Sequence, residues 1–356
     1  GAKIAVFDPK GETSKLLAAL RVPCQFVEAG ADLGGYDLLI IGKAALTADG
    51  PAPDVRRVPD GLKVLVFEQT AEALEKRLGF RVQEYGLRNV FRRVAGHPVL
   101  AGLDDKHLRD WRGEATNVPP RLAYEPSDRY NGAPVVRWCG LEVPRLWRCG
   151  NRGNVASVLI EKPARGDFLP IVDGGYSLQY SPLMEYREGR GMVLFCQLDV
   201  TGRTEADPAA DRLVRNLLGY VSSWNPAPSR HALYVGDPRG RTHLERAGVK
   251  LEAYEGGDLT ADQVLVVAPG GGAALAKHAQ SVTRWLKAGG HLLALELDAD
   301  EANKFLPAPV RTTKLEHIAA CFEPPEARSL LAGVGPADVH NRDPRELPLV
   351  TGGVGA

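Results

Sequence analysis

Glu68 and Glu296 are the residues of this 356-residue chain best placed to do chemistry. Each follows an apolar run, Val64-Leu65-Val66-Phe67 and Leu292-Leu293-Ala294-Leu295. Each should therefore stand at a strand end, on the edge where α/β sheets hold their ligands. A carboxylate there can serve as a general base if its pKa is raised. No His, Ser or Cys sits beside either one in sequence. The favoured reading is thus an acid at the start of a helix, interacting with backbone amides and the helix dipole. Trp138 and Trp147 are the other ligand candidates. They flank a turn-rich stretch and could stack on a sugar, although such residues more often fill a hairpin core or an interface.

Other patterns argue against further chemistry. His97, His107, His243, His278, His317 and His340 show no H-x-x-x-H or H-E-x-x-H spacing, so no metal and no cofactor is expected. Pro269-Gly270-Gly271-Gly272 lies between a strand and a helix, where a phosphate could sit. It is neither G-x-G-x-x-G nor a P-loop, and a tight structural turn is the better reading. Arg88, Arg92 and Arg93 read as a solvated face, and Asp199 and Asp207 near Arg203 as a loop ion pair. None of the five cysteines forms a C-x-x-C pair. Cys24 and Cys196 read as buried thiols, whereas Cys139 and Cys149 could pair in an oxidising compartment. Basic and acidic residues balance at 44 each, so no global field recruits nucleic acid or an anionic membrane. No apolar run approaches the roughly 20 residues of a membrane helix. No signal peptide is visible, which leaves the compartment open.

The elements that must position these residues occur twice. Asp8 and Gly11 reappear as Asp237 and Gly240 at an offset of 229, and Glu68 as Glu296 at 228. Leu100-Ala101-Gly102-Leu103 reappears as Leu331-Ala332-Gly333-Val334 at 231. Short apolar runs at 3–8, 25–27, 37–41 and 62–67 alternate with helical stretches, the first capped by Thr13, the second at 71–78 and stopped by Gly79. That rhythm predicts a parallel sheet with helices on both faces. Residues 121–200 instead carry turn signals between alternating runs, as antiparallel strands do. The fold class expected is α/β, with tandem doubly wound parallel-sheet units, the first bearing an antiparallel β insertion. The units should span 1–225, with the insertion at about 121–200, and 230–356, joined by a proline-stiffened linker. Strands 64–67 and 292–295 should be equivalent and central. The second copy stops before a counterpart of the helix from 207 to 220. The chain is therefore expected to be a piece of a longer polypeptide, with residues 231–356 packing on another domain, a partner chain or a continuation.

Several longer motifs resemble a known family. They are residues 96–103 (GHPVLAGL), 108–113 (LRDWRG), 151–157 (NRGNVAS) and 189–199 (GRGMVLFCQLD). Together they resemble class I glutamine-amidotransferase-like, flavodoxin-like domains attached to large bacterial family-2-type glycoside hydrolases and β-galactosidase-like enzymes. The resemblance implies a nucleophile elbow where this chain has Phe67-Glu68-Gln69-Thr70 and Leu295-Glu296-Leu297-Asp298. Neither offers a Cys. It also implies a late strand carrying Gln-Phe-His-Pro-Glu, where this chain has Gln197-Leu198-Asp199-Val200-Thr201. With nucleophile and base replaced, the resemblance implies degenerate sites in a non-catalytic accessory module of a glycoside hydrolase. Its partners would be other domains of the same polypeptide or a partner chain, with carbohydrate a further candidate ligand. A stand-alone hydrolase with its pocket near Glu68, and a sugar or small-ligand sensor, are the alternatives.

Overall fold

The structure, a computed structural model, describes residues 2–115, 126–127, 133–138, 141–144, 152–323, 325–326, 329–340 and 343–353. It divides into two compact units. One comprises Gly1–Pro163, Asp167–Pro226 and Phe322–Ala337, the other Ala164–Gly166, Ala227–Cys321 and Asp338–Ala356.

The first unit begins with β1 (Ile4–Phe7), whose apolar side chains alternate between the two faces of a sheet. Gly11, at a φ of 74°, turns the chain into α1 (Glu12–Ala19). Thr13 is not the cap that its position suggests. It is buried inside the helix, and its hydroxyl accepts the Lys43 N–H at 2.8 Å. The elements β2 (Gln25–Phe26), β3 (Leu38–Ile41) and β4 (Lys63–Val66) follow. A π-helical turn, Ala73–Arg77, leads to β5 (Val82–Leu87), β6 (Phe91–Arg92) and β7 (Trp111–Glu114). Then come β8 (Pro126–Ser127), β9 (Ala133–Trp138), β10 (Leu141–Pro144) and β11 (Arg152–Gly153). The unit continues through β12 (Ala156–Glu161), β13 (Phe168–Gly174), β14 (Tyr180–Glu188), β15 (Gly191–Cys196) and α2 (Pro208–Ser223).

The main sheet runs β2-β1-β3-β4-β15-β14-β12-β5. Its first five strands are parallel, and β14, β12 and β5 continue antiparallel. The insertion therefore divides. Strands β8 to β10 form a separate antiparallel sheet, whereas β12, β14 and β15 extend the parallel core. Two apolar clusters cover the two faces. Leu16 and Leu17 of α1 join Leu213, Leu217 and Val221 of α2 on one face, and Leu46, Leu62 and Leu74 lie on the other. Asp207 caps α2 by accepting the Ala209 N–H at 2.8 Å, with Pro208 at the first helical position. Each large aliphatic side chain buried in this way contributes about 1.5–3 kcal/mol.

The second unit repeats the first four strands of the first unit's main sheet. It contains β16 (His231–Val235), α3 (Pro238–Arg246), β17 (Leu251–Ala253), β18 (Gln263–Val267) and α4 (Gly271–Leu275). It continues with α5 (Ala279–Lys287), β19 (His291–Ala294), α6 (Ala299–Ala302), β20 (Arg311–His317) and β21 (Arg345–Gly352). The order β17-β16-β18-β19, parallel throughout, matches β2-β1-β3-β4 strand for strand. One expectation fails. β4 is central, between β3 and β15, but β19 is an edge, with no strand on its outer side among the described residues. Leu65 is fully buried, whereas Leu293, its counterpart, is 47 % exposed. The cause is cover: Leu65 lies under α2 in the cluster to which β15 also contributes.

Candidate functional site

Glu68 follows β4 at the C-terminal edge of the first sheet, where the sequence places it. Its surroundings come from distant segments. One carboxylate oxygen accepts the Thr201 N–H and the other the Thr201 hydroxyl, each at 2.8 Å. Asp199 lies two residues before Thr201 and accepts the Ser157 hydroxyl at 2.5 Å. Glu68, from the turn after β4, thus meets Asp199 and Thr201, from the segment after β15, in space. Both carboxylates are only 1 % exposed. Burial pushes the Glu68 pKa up, against the pull of the Thr201 bonds and the Lys43 charge. Burial, with the Glu68 charge assisting, pushes Asp199 up to about 7. Lys43 is also buried and pairs with Glu12 at 2.7 Å.

The turn after β4 is closed by two glutamines. The Gln69 amide group donates to the carbonyls of Gly42 (2.8 Å) and Phe67 (2.6 Å), and its oxygen accepts the Leu46 N–H at 2.9 Å. Gln197 accepts the Gln69 N–H at 2.8 Å and donates to the Gln69 carbonyl at 3.0 Å. Cys196 ends β15 close by, but burial and then the Glu68 charge hold its thiol well above the usual range. A nucleophilic cysteine needs the opposite shift. A cavity of about 240 Å3 opens nearby, lined by Glu12, Lys15, Thr201, Gly202, Thr204 and Glu205. Neither Glu68 nor Asp199 lines it. An acid held near pH 7 has the right pKa for proton transfer, but transfer also requires hydrogen-bond reach to a substrate. Here Thr201 stands between Glu68 and the cavity.

Arg203 corrects the expected loop ion pair. It is buried, and its guanidinium donates to three carbonyls, those of Arg112, Asn154 and Trp111, at 2.8–2.9 Å. Asp207 caps α2 instead, and its second oxygen accepts the Arg112 N–H at 2.9 Å. Among the other arginines expected on a solvated face, Arg93 is buried and pairs with Asp173 at 3.1 Å.

Glu296 shares the strand-end position but none of these partners. It is exposed and takes a φ of 54°, a left-handed backbone at a position where no glycine signals it. The nearby Pro269–Gly272 turn spends its glycines on close packing. A Cβ on Gly271 would lie 2.6 Å from the Val235 carbonyl oxygen, and one on Gly272 2.5 Å from that of Glu301. Trp138 ends β9, paired antiparallel and in register with Leu141 of β10. Its side chain, Trp147, Cys139 and Cys149 lie outside the described residues. Among the described residues no three His, Cys, Asp or Glu side chains converge as a metal site. No described helix is long and apolar enough to cross a membrane.

No protein-family model and no curated protein matches the chain. Among solved structures, the chain is similar to a GMP-synthase-subunit-A-like protein of Thermoplasma acidophilum. That likeness has 15 % identity, covers 61 % of this chain and 92 % of the other, and has a TM-score of 0.35. It is also similar to a β-galactosidase from Rahnella sp. R3, at 11 % identity, over 62 % of this chain and 31 % of that one, with a TM-score of 0.34. Likenesses this distant carry no argument about activity, which has to come from the side chains themselves.

Proposed function

We propose that this chain is a non-catalytic double α/β module of a larger carbohydrate-active enzyme, of glycoside hydrolase type, with the Glu68 site of its first unit kept as a structural cluster. One observation carries the non-catalytic part. Both oxygens of Glu68 are taken by Thr201, behind a turn sealed by Gln69 and Gln197. A group so enclosed stabilises the turn and cannot reach a substrate. The glycoside hydrolase context rests on the sequence resemblance of residues 96–113, 151–157 and 189–199. The packing role is supported by the open edge of β19. There Leu293 stays half exposed, at the position where the first unit buries Leu65. Exposed sheet edges are ordinarily covered or blunted, and another domain of the same polypeptide or a partner chain would supply that cover.

The coding sequence on either side of this segment tests the reading. A glycosidase barrel or sugar-binding sandwich beside it is the expected result, and a free-standing gene would overturn the module. A stand-alone hydrolase has one observation in its favour, the Asp199 carboxyl held near 7. It requires Thr201 to move aside and admit substrate.

A further inference from the structure

We propose that the first unit holds a binding pocket for a small ligand carrying a tetrahedral oxyanion, a phosphate or sulfate ester. The pocket lies where residues 102–112 meet the start of α2, apart from the Glu68 cluster. A cavity of about 330 Å3 there is lined by Lys106, His107, Arg109, Arg112 and Arg212, with the buried Trp111 and Asp207 also in its wall. Such a volume is near the lower end of the roughly 300–1,000 Å3 of small-molecule sites, so the ligand must be small.

The charge there is unbalanced in a chain that is neutral as a whole. Four Lys and Arg side chains line the cavity against one carboxylate, Asp207. That carboxylate is already occupied, since its two oxygens accept the Ala209 and Arg112 N–H groups at 2.8 and 2.9 Å. Lys106 and Arg109 reach Asp104 and Asp110, both at 3.1 Å, in exposed pairs that an anion can compete with. Arg112 and Arg212 differ. Among the described residues neither guanidinium has a carboxylate within 4.0 Å or a side-chain hydrogen bond. Two arginines with unpaired guanidinium groups in the wall of one cavity suit a phosphate or sulfate, whose oxygens accept such donors in pairs.

The supports of these two arginines are rigid, which distinguishes the pocket from a solvated patch. The Arg112 N–H is held by Asp207, and its carbonyl accepts Nε of the buried Arg203 at 2.9 Å. The adjoining Trp111 is buried, and its indole N–H donates to the His107 carbonyl at 2.8 Å. Asn216 of α2 donates to the carbonyls of Val99 (3.0 Å) and Ala101 (2.9 Å), which ties the turn before Gly102 to the helix bearing Arg212. Gly102, at a φ of 74°, brings its backbone close to Arg212, where a Cβ would lie 3.4 Å from the guanidinium. The amide at the start of α2 is taken by Asp207, so the anion is held by side chains.

Calorimetric titration of the whole chain at low salt tests the proposal, with glucose 6-phosphate, inorganic phosphate, inorganic sulfate and neutral glucose as probes. Saturable binding of the charged probes and none of glucose is expected. Arg112→Gln and Arg212→Gln should each weaken binding about tenfold or more, because each removes charge-assisted hydrogen bonds. The double variant should bind none of the probes. Both side chains are exposed, so the double variant should keep the wild-type circular dichroism spectrum. Lys15→Gln, in the separate cavity beside Thr201, should leave binding unchanged. Absence of saturable binding by every charged probe would overturn the pocket. So would a folded double variant that binds as the wild type does.

Discussion

Replacing Asp199 with Asn should make the first unit more stable at alkaline pH and flatten its pH dependence. The carboxyl is 1 % exposed, and its pKa rises from 3.8 to about 7, chiefly through burial, with Glu68 adding to the shift. As pH rises, the unfolded chain gives up this proton near its ordinary pKa, while the folded chain holds it until about 7. Between those values the folded state binds more protons, so stability falls with pH. The contribution is fully present below the unfolded pKa and is lost as pH passes through the folded one. At 1.36 kcal/mol per pKa unit, the loss between pH 5 and pH 8 is on the order of 2–3 kcal/mol. Asn keeps the shape and an acceptor for the Ser157 hydroxyl but cannot ionise. Urea unfolding at pH 5, 6, 7 and 8, followed by tryptophan fluorescence, should show the wild type losing stability that Asp199→Asn retains. Parallel pH profiles for the two proteins would refute the reasoning, as would a wild type that gains on the variant with rising pH.

Glu185 should act in the opposite sense. His97, Arg187 and Tyr220 hold this buried carboxylate down to about 2 against its desolvation. Its contribution is present above the unfolded pKa of about 4.5 and lost as pH falls toward 2, and Glu185→Gln should abolish that acid-limb loss in urea titrations. At neutral pH the same variant should cost about 3–5 kcal/mol, because it strands buried partners. Leu65→Ala should cost about 2–5 kcal/mol in equilibrium unfolding. Leu293→Ala, at the equivalent position, should cost well under half as much and should reduce binding of a hydrophobic dye. Gly42→Ala should destabilise by about 1–3 kcal/mol, since its Cβ would collide with the Asp8 carboxylate, and thermal unfolding reads this directly.

The repeated strand order was legible because apolar runs and glycine turns recur at a near-constant spacing, and local pattern dictates which strands form. Edge or centre was not legible for β19. Leu292-Leu293 reads as buried on both faces, and Leu293 is exposed because no strand or helix among the described residues covers it there. At the candidate site, the position of Glu68 followed from its strand, but its partners did not. Thr201 lies 133 residues away and arrives only because β15 returns beside β4. Thr13 looked like a helix cap because hydroxyl residues favour that place. The Lys43 amide claimed it instead, since a buried N–H must find an acceptor. Arg203 looked like an ion-pair partner, yet three converging carbonyls offered it more hydrogen bonds than a single carboxylate could.

The claim that the Glu68 cluster is structural is tested most directly by turnover. The purified chain and its Glu68→Gln variant would be assayed side by side with glutamine, p-nitrophenyl acetate and a panel of p-nitrophenyl glycosides. No release above the buffer rate is expected from either protein. Turnover by the wild type that Glu68→Gln abolishes would contradict it.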